Sequence, residues 1–163
     1  MIFVTVGSDI PFDRLTKAVD QWARRNNRRD IFAQIGRGGW EPEFVPFSAM
    51  LDPTEFKARL AECRIVVGHA GMGTILSALQ GSKPILVMPR RGPLGETRND
   101  HQMATARQLL EMGKVNVAFD EVELADQLDR VDELVPKEKI APFADPEFTR
   151  RLNEFIHCGT GKP

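Results

Sequence analysis

The sequence predicts an α/β fold, a doubly wound parallel sheet covered by helices on both faces, and three observations predict it. Short apolar, β-branched runs recur at residues 2–6, 31–35, 65–67, 84–88 and 115–119. Between them apolar residues return at helical spacing. Glycine-containing turns follow the ends of the runs. Strands alternating with helices in this way are the signature of βαβ units and a parallel sheet.

Taken in order, Ile2-Phe3-Val4-Thr5-Val6 forms the first strand, and Gly7-Ser8-Asp9-Ile10-Pro11 turns away from it. Leu15, Ala18, Val19 and Trp22 then lie on one face of a helix. Residues 31–35 make the second strand, closed by Gly36-Arg37-Gly38-Gly39. Phe44-Val45-Pro46-Phe47 is a weaker third strand, and its proline assigns it to an edge or a strand end. Phe56, Leu60 and Cys63 place a helix ahead of Ile65-Val66-Val67, a continuous apolar run that implies a strand buried on both faces. Gly68-His69-Ala70-Gly71-Met72-Gly73 follows at once, and Thr74 begins the next helical pattern.

Residues 84–88 are the next strand, ended by Pro89. Residues 100–112 read as a helix with Met103, Ala106, Leu109 and Leu110 on its buried face and Gly113 as its stop. After a strand at 115–119, Leu124, Leu128, Val131 and Leu134 mark another helix. Past Pro142 and Pro146, Phe148, Leu152, Phe155 and Ile156 give an amphipathic helix at about 145–157. The expected organisation is one domain over 1–163 with its core in 1–135.

Composition narrows the function classes. A net charge of −1 provides no general nucleic-acid footprint. Arg24, Arg25, Arg28 and Arg29 form a local basic run, read as a solvated helix end or as a contact with an anionic membrane. Cys63 and Cys158 lie far apart without metal-ligand spacing, which fits a reduced, cytoplasmic compartment. No apolar run approaches the ~18 residues of a membrane span. Residues 1–7 lack the basic region and cleavage site of a signal peptide and read as a strand.

In such sheets ligands bind outside the carboxyl ends of the strands. The turns there, at 7–9, 36–39, 68–73 and 90–99, predict one cleft. A glycine turn between a buried strand and a helix start presents backbone N–H groups to an anion, so residues 68–74 suit a phosphate. Two common phosphate patterns are absent. The first turn lacks Gly-x-Gly-x-x-Gly and the second strand ends Gln34-Ile35-Gly36 without a ribose-binding carboxylate, which disfavours a nicotinamide dehydrogenase. No Gly-Lys-Ser/Thr loop is present, which disfavours a kinase or ATPase of that class.

The segments His69-Ala70-Gly71-Met72-Gly73-Thr74, Gly81-Ser82-Lys83-Pro84 and Asp100-His101-Gln102 closely resemble the C-terminal, donor-binding half of family 28 glycosyltransferases. Phe3-Val4-Thr5-Val6-Gly7, Phe12-Asp13 and Gln34-Ile35-Gly36 match as well, so the resemblance covers about residues 1–119. It implies a Rossmann-like fold equivalent to the C-terminal half of a GT-B glycosyltransferase. A donor half standing alone resembles the catalytic subunit of split UDP-sugar transferases. Residues 89–102, from Pro89-Arg90-Arg91 through Gly95-Glu96 to Asp100-His101-Gln102, resemble bacterial exopolysaccharide glucuronosyltransferase subunits in particular.

The resemblance implies a UDP-sugar donor, no metal or other cofactor, and a diphosphate held by Ala70, Gly71, Met72, Gly73 and Thr74 at the helix start. His69 and His101 are the candidate catalytic residues. His69 either meets phosphate or sugar or caps its own turn through its ring nitrogens. Asp100, His101 and Gln102 begin a helix; His101 and Gln102 match positions where relatives hold sugar hydroxyls, and Asp100 reads equally as an N-cap. Gly7 and Ser8 face the diphosphate or the acceptor, Gln34 and Gly36 line the cleft, and residues 47–51 lie where relatives bind the base. Many relatives carry a ribose-binding glutamate where this chain has Ser77. Glu96 is a possible substitute or a surface charge, and Arg90 and Arg91 suit an anionic sugar or the diphosphate.

Inverting transfer also needs a base for the acceptor hydroxyl, which two-domain relatives take from their other half. The implied partner is therefore a membrane-anchored acceptor-binding subunit that brings a lipid-linked saccharide and recruits the chain to the inner face of the cytoplasmic membrane. The terminal helix would dock on that partner, on a second copy as a homodimer, or on its own domain. A non-catalytic UDP-sugar module is the alternative. An epimerase of related fold would need a second closing domain, for which 163 residues leave no room.

Overall fold

The computed structural model describes residues 1–8, 10–137 and 146–158. Asp9 of the first turn and Pro142 ahead of the terminal helix lie outside the described residues. Six parallel strands form one sheet: β1 Ile2–Thr5, β2 Ile31–Gln34, β3 Phe47–Ser48, β4 Ile65–His69, β5 Ile85–Met88 and β6 Asn116–Val117. Their order is β3-β2-β1-β4-β5-β6, the doubly wound Rossmann arrangement. The order reverses between β1 and β4, where Thr5 pairs with Gly68, so a crevice opens above their carboxyl ends.

The strands are buried because each face of the sheet carries helices. α1 Asp13–Arg25 and α5 Glu121–Asp129 cover one face. There Leu15, Val19, Trp22, Leu124 and Leu128 pack on Ile2, Val4, Ile65, Val67 and Leu86. α2 Pro53–Glu62, α3 Met72–Gln80 and α4 His101–Glu111 cover the other. On that face Phe56, Ile75, Leu79 and Ala106 join Phe3, Val66, Ile85 and Val87. The alternation of Phe3 against Ile2 and Val4 is the two-residue period of a strand sandwiched between two layers.

Several boundaries move, each for a local reason. The third strand begins at Phe47, at the sheet edge, rather than at Phe44. The buried Asp20 carboxylate accepts from the N–H groups of Phe44 (2.9 Å) and Val45 (2.8 Å), and Pro46 has no N–H, so this stretch is pinned to α1 instead of pairing. α3 begins at Met72, with Gly71 as its cap, two residues ahead of Thr74. α5 ends at Asp129 and Val131 starts a separate 3-10 turn, Val131–Glu133. On α4 the buried positions are Gln102 and Ala106, while Leu110 is exposed. Gly113 has the left-handed backbone of a helix stop, φ 65°.

α6 spans Pro146–Cys158, and Phe148, Leu152, Phe155 and Ile156 on it are exposed. Among the described residues no helix is long and apolar enough to cross a membrane. At the amino ends of the strands, Arg28 and Arg64 join Asp30 and Asp132 in an ion network, with Arg28 2.7 Å from Asp132.

Candidate active site

The first wall of the crevice is set by β1 and β2. Thr5 donates its hydroxyl to Gln34 Oε1 (2.7 Å), and Gln34 Nε2 donates to the Gly7 carbonyl (3.0 Å). A buried glutamine at the end of β2 thus holds the turn after β1 in place. Gly7 has φ 82°, which an L side chain rarely adopts. Gly36 also has φ 82°, but it packs against Pro11 and lies outside the cleft: a Cβ there would sit 3.1 Å from the Pro11 Cα.

His69, at the end of β4, sits in a slot between two glycines. A Cβ on Gly7 would lie 2.7 Å from its Nε2, and one on Gly71 would lie 2.1 Å from its Cε1. The turn after β4 needs glycine at 71 to admit the ring, since Gly71 itself has negative φ. The imidazole lies 3.5 Å from Thr74 Oγ1 and 3.4 Å from Gln102 Nε2. Burial, with the Arg90 charge behind it, pushes its pKa down to about 4. The ring is therefore neutral at physiological pH.

α3 starts directly beneath this ring. Its first intrahelical bond runs from Ile75 N to Gly71 O (3.2 Å), so the amides of Met72, Gly73 and Thr74 precede any intrahelical acceptor. Gly73 has nothing within 4 Å of where a Cβ would stand, and its backbone is open to the cleft. Ala70 is buried in the core under α3, and Met72 projects to solvent. Ser77, one turn along, lines the cleft and donates to the Gly73 carbonyl (2.7 Å).

The loop between β5 and α4 ties four of the residues singled out in the sequence into bonds within the fold. Arg90 lines the cleft from an enclosed position. It is 2% exposed, and its guanidinium donates to the carbonyls of Val6 (2.9 Å), Ile10 (2.6 Å) and Pro11 (2.6 Å) over the Phe12 ring. It lends charge to the cleft while tying the first loop down. Arg91 donates to the Phe119 carbonyl (2.6 Å). Glu96 is not among the residues that line the cleft, and both its oxygens are bonded, to Arg14 and to the Arg91 N–H. Asp100 does not cap α4 with its side chain; its carboxylate accepts from Gly92 N (2.7 Å), and Asn99 Oδ1 takes the His101 N–H (3.3 Å). His101 is exposed at the rim, its ring against Asn99.

Together these elements enclose a cleft of about 650 Å³ above the switch point. Gly7, Ser8, Gln34, His69, Gly73, Thr74, Arg90, His101 and Gln102 line it; Gly36, Ala70, Gly71, Met72, Glu96 and Asp100 do not. Sequence reasoning pointed to residues 47–51, of which Met50 and Leu51 line the cleft, and missed the rest of that wall, Pro53, Phe56 and Leu60 with Lys57 beside them. The spacing of Phe56 and Leu60 marked a helix face, and nothing in the pattern said that one edge of that face borders a crevice. Among the described lining residues there is no carboxylate. A half-apolar slot facing helix amides, with Lys57 and Arg90 as its cations, suits a flat apolar group joined to an anion.

The glycosyltransferase family 28 C-terminal domain matches residues 1–149. The chain belongs to that family. This family 28 domain is 34% identical over 122 residues to the human UDP-N-acetylglucosamine transferase subunit ALG13, a stretch that is 69% of the chain and 10% of that relative. The chain thus spans about a tenth of the length of the curated relatives it matches. The solution structure of ALG13 superposes with a TM-score of 0.57 at 22% identity, covering 96% of each chain. The crystal structure of the kitacinnamycin glycotransferase gives a TM-score of 0.57 at 22% identity over 95% of this family 28 domain and 38% of that chain. At these identities the structural likeness shows the shared Rossmann-like fold and no more.

Proposed function

We propose that the chain is the donor-binding subunit of an inverting glycosyltransferase that moves a hexose or hexuronate from a UDP-sugar to a lipid-linked saccharide during polysaccharide assembly. The observation that carries this reading is the start of α3, whose unpaired amides open into a cleft without a carboxylate among its described lining residues. A diphosphate at residues 71–74 brings the base against Met50, Leu51 and Phe56 and the sugar toward His101. As the bond to the sugar breaks, negative charge grows on the UDP oxygen, where the helix amides and the Arg90 charge stabilise it. No metal is required for that stabilisation, and UDP binding is expected to be unchanged by a chelator.

The acceptor hydroxyl must lose its proton as it attacks. His69 is neutral but enclosed, and the described cleft offers no carboxylate to take that proton. A membrane-anchored partner subunit therefore supplies the base and the lipid-linked acceptor, and recruits the chain to the membrane. The human relative, named as a transferase subunit, supports that division of labour. The same missing base favours one second reading, a non-catalytic UDP-sugar sensor.

Two measurements test these readings. Calorimetry on the chain alone is expected to show UDP binding; no binding at millimolar UDP overturns the donor-site reading. Co-expression with a membrane partner, assayed with a panel of UDP-sugars on lipid-linked acceptors, is expected to restore transfer that the chain alone lacks. Binding without transfer in every combination selects the sensor.

A further inference from the structure

Gln102 is 7% exposed on the first turn of α4, and both ends of its amide are engaged. The Arg90 backbone N–H can only donate, so the amide atom facing it at 3.2 Å is Oε1. That leaves Nε2 facing His69 Nδ1 at 3.4 Å. An amide nitrogen offers hydrogens and no acceptor, so Nδ1 must be the unprotonated ring nitrogen. A neutral imidazole carries one N–H, and here it falls on Nε2, 3.5 Å from Thr74 Oγ1. The glycine slot holds the ring in this orientation.

We propose that Gln102 is a positioning residue that sets His69 as the Nε2–H tautomer and thereby turns the Thr74 hydroxyl proton into the cleft. Thr74 accepts from the ring through a lone pair, and its own O–H becomes a further donor at the start of α3 toward a phosphate oxygen. In the opposite tautomer Thr74 would donate to Nε2 and present lone pairs to the anion. The assignment rests on the diphosphate reading of the cleft for its consequence, but the tautomer itself does not. It adds to the sugar contact that the sequence suggested for Gln102, since the amide keeps a second hydrogen and a second lone pair at the cleft.

The test is long-range ¹H–¹⁵N correlation on the ligand-free, ¹⁵N-labelled chain, followed by UDP calorimetry. The expected wild-type signature for His69 is a protonated Nε2 and a bare Nδ1. Gln102→Glu keeps the acceptor for Arg90 N–H but replaces the donor with a second oxygen, and is expected to move the ring proton to Nδ1. UDP affinity should then fall about tenfold, the scale of one hydrogen bond to a charged group. Thr74→Val should fall by a similar factor. Because the new carboxylate also repels UDP directly, the double variant decides. In the Thr74→Val background Gln102→Glu is expected to cost no more than about threefold.

A wild-type ring protonated on Nδ1 overturns the proposal, and this result needs no variant to fold. So does a Gln102→Glu penalty that is equal in both backgrounds, which would be charge repulsion alone. Absence of UDP binding in the wild type overturns the donor-site reading instead, while the ligand-free spectrum still decides the tautomer.

Discussion

Arg14 and Glu96, 82 residues apart in the chain, meet in a two-point ion pair with hydrogen bonds of 2.6 and 2.8 Å. Arg14 also donates to the Pro89 carbonyl (3.1 Å), and Glu96 receives the Arg91 N–H (2.8 Å). Both side chains are nearly enclosed, 12% and 13% exposed. The pair clamps α1 to the loop that delivers α4 to the cleft. It engages both oxygens of a glutamate in a candidate binding loop.

Glu96→Gln is therefore expected to lower stability, by about 1–3 kcal/mol, since Arg14 loses the nearer of its two carboxylates and keeps the half-exposed Glu121. UDP affinity should stay within about threefold. Urea denaturation and calorimetry on the same variant check both; lost UDP binding at unchanged stability would return Glu96 to the ribose.

Gly71→Ala drives a methyl into the His69 ring, 2.1 Å from Cε1. Overpacking of this kind costs about 1–3 kcal/mol. The clash is with a side chain, so the double variant Gly71→Ala, His69→Ala should be more stable than the sum of the single changes predicts. Additive losses in thermal or chemical denaturation would mean that the ring is not what excludes a Cβ at 71.

The pH dependence of stability divides into two windows. His69 has its folded pKa lowered from 6.5 to about 4, so the unfolded chain binds its proton first as pH falls. That contribution is complete above 6.5 and is lost as pH drops toward 4. Asp132 is held down to about 2 by its hydrogen bonds from Arg28 and by Arg64, and Asp30 is lowered by Arg28. Their contribution is present above 3.8 and disappears as pH falls toward 2. These carboxylates are half exposed, so added salt should shrink the lower window and leave the upper one nearly unchanged. Denaturation midpoints from pH 7 to 2.5 at two salt concentrations, with an NMR titration of His69, test both signs.

Asp20→Ala removes the acceptor for the N–H groups of Phe44 and Val45 inside the protein. The expected loss is about 2–3 kcal/mol, as for buried donors left unpaired. Amide exchange should accelerate first at residues 43–48, and protection that is unchanged there would show that Asp20 does not hold this segment.

The elements most legible in the sequence were those whose causes are local. β4 and β5 are continuous apolar runs, Phe56 and Leu60 recur one turn apart on α2, and Gly113 stops α4. The turn after β4 was legible for the same reason. What the sequence could not reveal was set by partners far along the chain. Phe44 and Val45 look like a strand until Asp20 takes their N–H groups. Arg90 looks like a freely extended cation, and the sequence does not show the carbonyls of Val6, Ile10 and Pro11 that hold its guanidinium. Asp100 looks like a cap because the sequence does not show Gly92 folding back over it.

The strand order has a consequence for how the chain is made. β1 leaves the ribosome first, yet it ends between β2 and β4, and its second neighbour arrives only with residues 65–68. Until then a strand with three apolar residues out of four presents an open edge, the kind of surface that recruits another chain. The β1–α1–β2 unit can close early from local contacts, whereas the crevice waits for His69 and then for Gln102. Binding competence thus comes later in synthesis than the β1–α1–β2 unit, and the second edge of β1 stays open until β4 docks.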